Sequence, residues 1–225
     1  MGTPSTDPRP WKTDVVTLLI VTAVAAEAEA IRKGLDTDSP ITVAPVGVGM
    51  AAAAAATAKL LTLAHGRYAG VISAGIAGGI GVEPGTVILG VHNIAADLGA
   101  DSDEGFVGLD ELGFGAVVSK VDGKLLTSLR EALPDAPVGD VLTVNTVTGT
   151  AGRLAQLLER YPNAIAETME GFGVACAAEL SAVPYAELRA ISNPVGPRDR
   201  AAWKIAEALE ALTQAAHMLS TTLSS

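Results

Sequence analysis

A single cysteine, Cys176, leaves this chain without the means to form an intramolecular disulfide. Set inside an apolar run, it reads as a packed thiol in a reducing compartment. Aromatic residues make up 4% of the sequence, too few for an aromatic binding platform. No basic run offsets the formal net charge of −10, so a phosphate-neutralising patch is missing and nucleic-acid binding is excluded as the main role. No apolar stretch free of glycine and charge reaches membrane-spanning length, so no membrane role is expected and the product reads as soluble and cytoplasmic. Several catalytic signatures are also missing. His65, His92 and His217 have no metal-ligand spacing, and neither G-x-S-x-G nor H-E-x-x-H occurs. Gly47-Val48-Gly49-Met50-Ala51-Ala52 resembles a degenerate dinucleotide fingerprint, yet no Asp or Glu lies between Asp38 and Glu83 to take the ribose. Gly75-Ile-Ala-Gly-Gly-Ile-Gly81 lacks the lysine and hydroxyl residue of a P-loop. Neither metal nor cofactor is expected.

What is present is apolar: 49% of residues, much of it alanine and valine, against 18% charged, enough for a sizeable core. Pro4, Pro8 and Pro10 mark residues 1–13 as a loose tail, and residues 14–225 read as one domain. The tail formally fits an N-myristoylation pattern, but no polybasic segment accompanies it. The run from Val15 to Val21 predicts a buried parallel strand, followed by a helix from Ala25. Further strands are expected at 41–46, 70–73, 86–94, 116–121, 141–147 and 185–191. Helices are expected at 51–61, 124–133, 150–160, 169–180 and 201–219. The glycines at 75–81 read as a strand-to-helix loop exposing N–H groups, and the acidic 95–115 stretch reads as a long loop. This alternation predicts a single three-layer α/β/α domain with a central mixed, largely parallel twisted sheet and ligands at strand C-terminal ends.

One stretch stands out chemically. Glu167-Thr168-Met169-Glu170-Gly171-Phe172-Gly173 sits between an extended Asn163-Ala-Ile-Ala and the apolar Val174-Ala-Cys-Ala-Ala-Glu-Leu180. Two carboxylates beside a buried segment need polar partners. Ionised carboxylates only accept hydrogen bonds, so a ribose diol would suit them. Two solvated glutamates at a helix start would account for the same residues.

Four segments in order bear on that choice: Thr22-Ala23 with Glu27, Ser73-Ala-Gly-Ile-Ala-Gly-Gly, Met169-Glu170, and Arg189-Ala-Ile-Ser-Asn193. Together they resemble the purine nucleoside phosphorylase/nucleosidase superfamily, in particular its methylthioadenosine/S-adenosylhomocysteine nucleosidase branch, from about Val15 to Leu219. Glu167-Thr-Met-Glu-Gly and Ser192-Asn-Pro-Val-Gly-Pro-Arg-Asp-Arg200 resemble the futalosine hydrolase family within it. The resemblance implies a nucleoside substrate, a homodimer or higher homo-oligomer, and a set of roles. Glu27 would activate the attacking water, and Met169 and Glu170 would line the ribose. Ile76, Ala77 and Gly78 would lie by base and sugar, Val147 and Thr148 would flank the base, and Asn193 would face the purine. The adenine-specific branch has a glutamate where this chain has Thr168 and an aspartate where it has Asn193, which leaves Glu167 without an inherited role. Asn193 can donate to O6 or N7 of hypoxanthine, whereas an aspartate suits adenine. Arg198, Arg200 and Lys204 around Trp203 form the densest cationic cluster of the later half, suited to an aryl carboxylate on the substrate. Three activities stay open: N-ribosyl hydrolase, phosphate-dependent phosphorylase, and nucleoside binding without turnover. The resemblance implies arginines at the first strand–helix turn of a phosphorylase; this chain has Ala25-Ala26-Glu27 there, which favours water over phosphate.

Overall fold

The structure, a computed structural model, describes residues 17–223; the expected N-terminal tail lies outside them. The first half runs β1 (Thr17–Thr22), α1 (Ala25–Gly34), β2 (Ile41–Pro45), α2 (Met50–Leu63), β3 (Tyr68–Gly79) and β4 (Val87–Ala95). A hairpin of β5 (Gly99–Ser102) and β6 (Gly105–Gly108) follows, then β7 (Val118–Lys120), α3 (Gly123–Ala132) and β8 (Val138–Thr143). The last part is α4 (Ala151–Arg160), β9 (Ala164–Thr168), α5 (Gly171–Leu180), β10 (Tyr185–Pro194), a 3-10 turn at Arg200–Ala202, and α6 (Ile205–Leu223).

The apolar run of β1 is buried because it pairs in parallel with β2 on one side and β3 on the other. The main sheet is mixed and largely parallel: β1–β2, β1–β3, β3–β10, β4–β8 and β8–β9 are parallel, while β4–β10, β3–β9 and β4–β7 are antiparallel. Its shape departs from the three-layer expectation. β10 bonds to both β3 and β4, so β3, β10, β4, β8 and β9 close into a ring, with β1 and β2 extending from β3. The cause is the length of β3. Its first half pairs with β1, and its end outruns β1 and takes β9 along the same edge. Glycines in that end allow the bend a closing sheet requires. Gly79 has no room for a side chain, since a Cβ there would lie 2.3 Å from the Val82 carbonyl oxygen.

The glycine stretch at 75–81 is therefore mostly strand, and no helix follows it. The strand expected at 141–147 begins earlier and stops at Thr143, leaving Val144–Gly149 as a loop. The 95–115 stretch is ordered as the β5–β6 hairpin, anchored where Leu98 and Leu109 pack near Phe172 of α5. The main core joins β1, β3 and β10 to α1, α5 and α6. α5 is buried from Gly171 to Ala175 and at Ala177 and Ala178, and only its outer stripe faces solvent. Cys176 falls on that stripe with Glu179, so the thiol is exposed rather than packed. Partial burial and the Glu179 carboxylate push its pKa up, away from thiolate reactivity. Among the described residues no helix is long and apolar enough to cross a membrane.

Candidate active site

The C-terminal ends of β1, β3, β9 and β10 surround a cavity of about 360 Å³. Its wall contains the nine residues to which the resemblance gives roles at base, sugar or water: Glu27, Ile76, Ala77, Gly78, Val147, Thr148, Met169, Glu170 and Asn193. Residues separated by more than 160 positions thus meet in one place.

Glu27 sits in the first turn of α1, 3% exposed, with both oxygens held by backbone N–H groups. Oε2 accepts from Val24 N at 3.1 Å, the reciprocal half of a capping box, and Oε1 accepts from Ile76 N at 2.9 Å. The second bond spans two elements and fixes the carboxylate against β3. Gly75 makes this approach possible: a Cβ there would lie 2.6 Å from Glu27 Oε1. A solvated helix-start glutamate would show none of this burial.

Glu170 stands at the N-terminus of α5, 7% exposed. Oε1 accepts from Gly49 N at 3.0 Å and Oε2 from Met169 N at 3.3 Å. Behind it lies a buried polar network. Arg189 Nη1 is 4.0 Å from Glu170 Oε2, its Nε donates to Glu187 Oε1 at 2.9 Å, and its Nη2 donates to Ser73 Oγ at 2.6 Å. Glu187 also accepts from Asn93 and, at 2.5 Å, from Tyr185 Oη. Thr143 Oγ1 donates to Asn93 Oδ1 at 2.6 Å and accepts from Phe172 N at 3.0 Å. Burial pulls the Arg189 pKa down, but the Glu187 and Glu170 carboxylates outweigh it and hold the guanidinium firmly charged. Burial, with Glu187 next to it, drives the Tyr185 phenol well up, so it stays a donor. The Arg189-Ala-Ile-Ser-Asn193 segment carries no role for Arg189 in the sequence alone, and Glu187, Tyr185 and Asn93 belong to none of its motifs. The signal available was three ionisable residues alternating along one buried strand, where charge is costly unless paired.

Glu167 and Asn193 face each other across β3. Gly78 is in register with Glu167 of β9 on one side and with Asn193 of β10 on the other. Glu167 is 6% exposed; Oε1 accepts from Thr148 N at 2.8 Å, while Oε2 has no hydrogen-bond partner. The Thr148 hydroxyl bears on the carboxyl, but it too is buried without a partner in hydrogen-bond geometry. Burial raises the Glu167 pKa and Asp97 adds to it, while Thr148 and Arg153 pull the other way. Asn193 Oδ1 accepts from Ser192 Oγ at 2.8 Å, and Nδ2 donates to Pro194 O at 3.0 Å. One N–H of its amide is left over.

The loop carrying Val147 and Thr148 is tied by Asp97, whose Oδ2 accepts from Asn145 N at 2.7 Å and Thr146 N at 3.3 Å. The acidic hairpin region thus supports one wall. At another wall, Arg198 and Trp203 both line the cavity. The guanidiniums of Arg198 and Arg200 each lie 5.9 Å from the Trp203 ring centroid. Lys204 is turned to Glu207 at 3.0 Å, and neither it nor Arg200 lines the cavity. Of the expected cationic cluster, Arg198 alone reaches the site. His92 Nδ1 pairs with Asp140 at 2.8 Å between β4 and β8, and neither residue lines the cavity. The described residues hold no cluster of metal-ligating side chains.

A cavity walled by Glu27, Glu167 and Glu170, with an amide opposite, is suited to a neutral, hydroxyl-rich ligand carrying a heterocyclic base. Comparison with known proteins agrees. Residues 19–225 match the family described as the phosphorylase superfamily. The chain is 45% identical to a futalosine hydrolase of Acidothermus cellulolyticus, over 88% of this chain and 87% of that one. It is 53% identical to a futalosine hydrolase of Streptomyces coelicolor over 69% of this chain, a match spanning 66% of the relative, just under two thirds. The fold is shared with a 5'-methylthioadenosine/S-adenosylhomocysteine nucleosidase from Neisseria meningitidis solved with methylthio-immucillin-A: TM-score 0.76, 19% identity, covering 93% of this chain and 99% of that one. The chain belongs to the phosphorylase superfamily and, within it, to the futalosine hydrolase family.

Proposed function

We propose that this chain hydrolyses the N-glycosidic bond of futalosine, releasing hypoxanthine and dehypoxanthine futalosine. The observation that carries the choice of water as acceptor is the charge around the sugar position. Glu27, Glu170 and Glu187 surround a single guanidinium, Arg189, which is already engaged by Glu187 and Ser73. An incoming phosphate would meet uncompensated negative charge there.

The chemistry then follows from the side chains. The bond between the anomeric carbon and the base nitrogen breaks through an oxocarbenium-like state, its electron pair leaving with the base. Glu27, fixed by two backbone donors, stabilises the developing cation and takes a proton from the attacking water, whose oxygen bonds to the anomeric carbon. Glu170 accepts from the ribose hydroxyls, and Met169 packs on the sugar. The free N–H of Asn193 meets the negative charge gathering on the base. The base leaves as the hypoxanthine anion and takes up a proton from solvent, while Glu27 gives the proton it received from water back to solvent. Ile76, Ala77 and Gly78 form the floor, with Val147 and Thr148 against the base. Arg198, which lines the cavity, would meet the aryl carboxylate of the substrate.

Incubation with futalosine, inosine and methylthioadenosine, with and without phosphate, tests the proposal by the base and sugar released. Hypoxanthine from futalosine at a rate indifferent to phosphate is expected. Accumulation of a ribose 1-phosphate would make the chain a phosphorylase, and preferential release of adenine would make it a methylthioadenosine nucleosidase.

A further inference from the structure

The proposed mechanism leaves one buried carboxylate without work. Glu167 is 94% shielded (6% exposed), lines the cavity, and keeps one oxygen unpartnered. An orphaned acceptor of that kind is expensive to maintain without a ligand donor to complete it. Its fold position says which donor. Glu167, Gly78 and Asn193 lie in register on β9, β3 and β10, so their side chains rise from one level of the sheet. At about 4.8 Å per strand spacing, the outer two backbones stand on the order of 10 Å apart. The residue between them is glycine, so β3 sends no side chain into the gap between the two. Val195 packs over Gly78 there, where a Cβ would lie 2.6 Å from Val195 Cγ2, and forms the apolar floor of that gap.

The edge of a 6-oxopurine presents a donor, N1–H, beside an acceptor, O6, with the N7 acceptor beyond; adenine presents an acceptor at N1 and a donor at the 6-amino group. A carboxylate and a spare amide N–H facing each other across that gap match the first pattern and mismatch the second. Resting on the hydrolase reading above, we infer that Glu167 is a specificity-determining residue that accepts the N1–H of hypoxanthine through Oε2, while Asn193 donates to O6 or N7. Thr148 N holds the other oxygen and so fixes which lone pairs face the base.

Glu167→Gln tests this, because the Thr148 N–H retains the amide oxygen and turns the amide NH₂ toward the base. A donor then meets N1–H, whereas for adenine a donor meets the N1 acceptor. Free hypoxanthine, 1-methylhypoxanthine and adenine are compared as competitive inhibitors of futalosine cleavage. In the native protein, hypoxanthine is expected to bind at least about 10-fold more tightly than the other two, the scale of one unpaired buried polar group. In Glu167→Gln, hypoxanthine should weaken by about 10- to 100-fold and adenine should strengthen, with KM for futalosine rising more than kcat falls. Equal weakening of all three bases, or an unchanged ratio of hypoxanthine to adenine, would reduce Glu167 to a prop for the Thr148 loop and overturn the inference. Should the variant not fold, the native ratio of hypoxanthine to 1-methylhypoxanthine decides alone: a ratio near one overturns it. These outcomes are separate from failure of the hydrolase reading, which the native protein would reveal by releasing adenine or a ribose 1-phosphate.

Discussion

Glu27 is proposed to carry the chemistry, and two backbone N–H groups from different elements grip its two oxygens, one at the start of its own helix and one on β3. Such a grip costs the side chain its rotamer freedom once, at folding, rather than at each turnover. Replacing it with glutamine keeps the shape and removes proton acceptance. For Glu27→Gln a loss in kcat of about 10²–10⁴-fold is expected, with ligand affinity retained, measured by single-turnover kinetics and inhibitor binding. A variant within a few-fold of the native rate would return Glu27 to a capping role. Glu170 has a different duty. It accepts from Gly49 N and Met169 N while lining the cavity, and in the proposed mechanism it binds the ribose, so its loss should disturb binding together with turnover.

Among the elements, α2 and α5 decide where Glu170 points. Gly173 lies so close to the start of α2 that a Cβ would stand 2.1 Å from the Met50 carbonyl oxygen. The residue before Met50 is Gly49, whose N–H binds Glu170. Gly173→Ala must push the two helices apart, and overpacking of this kind destabilises by about 1–3 kcal/mol. The same displacement should draw Gly49 away from Glu170. The expected result is a lower Tm with a raised KM for futalosine and a smaller change in kcat. Loss of Tm with KM untouched would show that the Gly49 contact does not orient Glu170.

At the scale of the whole molecule, the closed ring of strands is tied from inside by charge. Ser73 on β3, Asn93 on β4, Thr143 on β8, and Tyr185, Glu187 and Arg189 on β10 form one connected network, capped by Phe172 N and Gly171 O of α5. Arg189 is 1% exposed and Glu187 is fully buried, so neither charge can turn to water. Arg189→Met would strand Glu187 without a cation, which typically destabilises by about 3–5 kcal/mol, on the order of 10 °C in Tm for a chain of this size. Thermal melts of the single variant and of Arg189→Met/Glu187→Gln would measure it, the double variant recovering part of the loss. No recovery would mean that shape, rather than the ion pair, is what the network supplies.

By itself the sequence determined most of the elements and which residues meet in the cavity. The runs of β1 and α5, the helix starting at Ala25 and the paired carboxylates around Met169 are written in local periodicity and residue type, which neighbours along the chain suffice to express. Motif order then singled out nine residues, and the folded chain brings all nine to one cavity. Only the tertiary structure decided what depends on distant partners. The glycines of 75–79 read as a loop because their propensity is low, but pairing with β10 along one edge and β9 along the other makes them strand and closes the ring. Cys176 read as packed from its apolar neighbours, yet one stripe of a helix buried on nearly every other side must face outward, and the thiol is on it. Glu167 and Glu170 looked alike in the sequence. Their difference lies in what reaches each oxygen: Gly49 and Met169 complete one carboxylate, while Thr148 leaves the other half-open, because strand register and loop path set donors that no local pattern encodes.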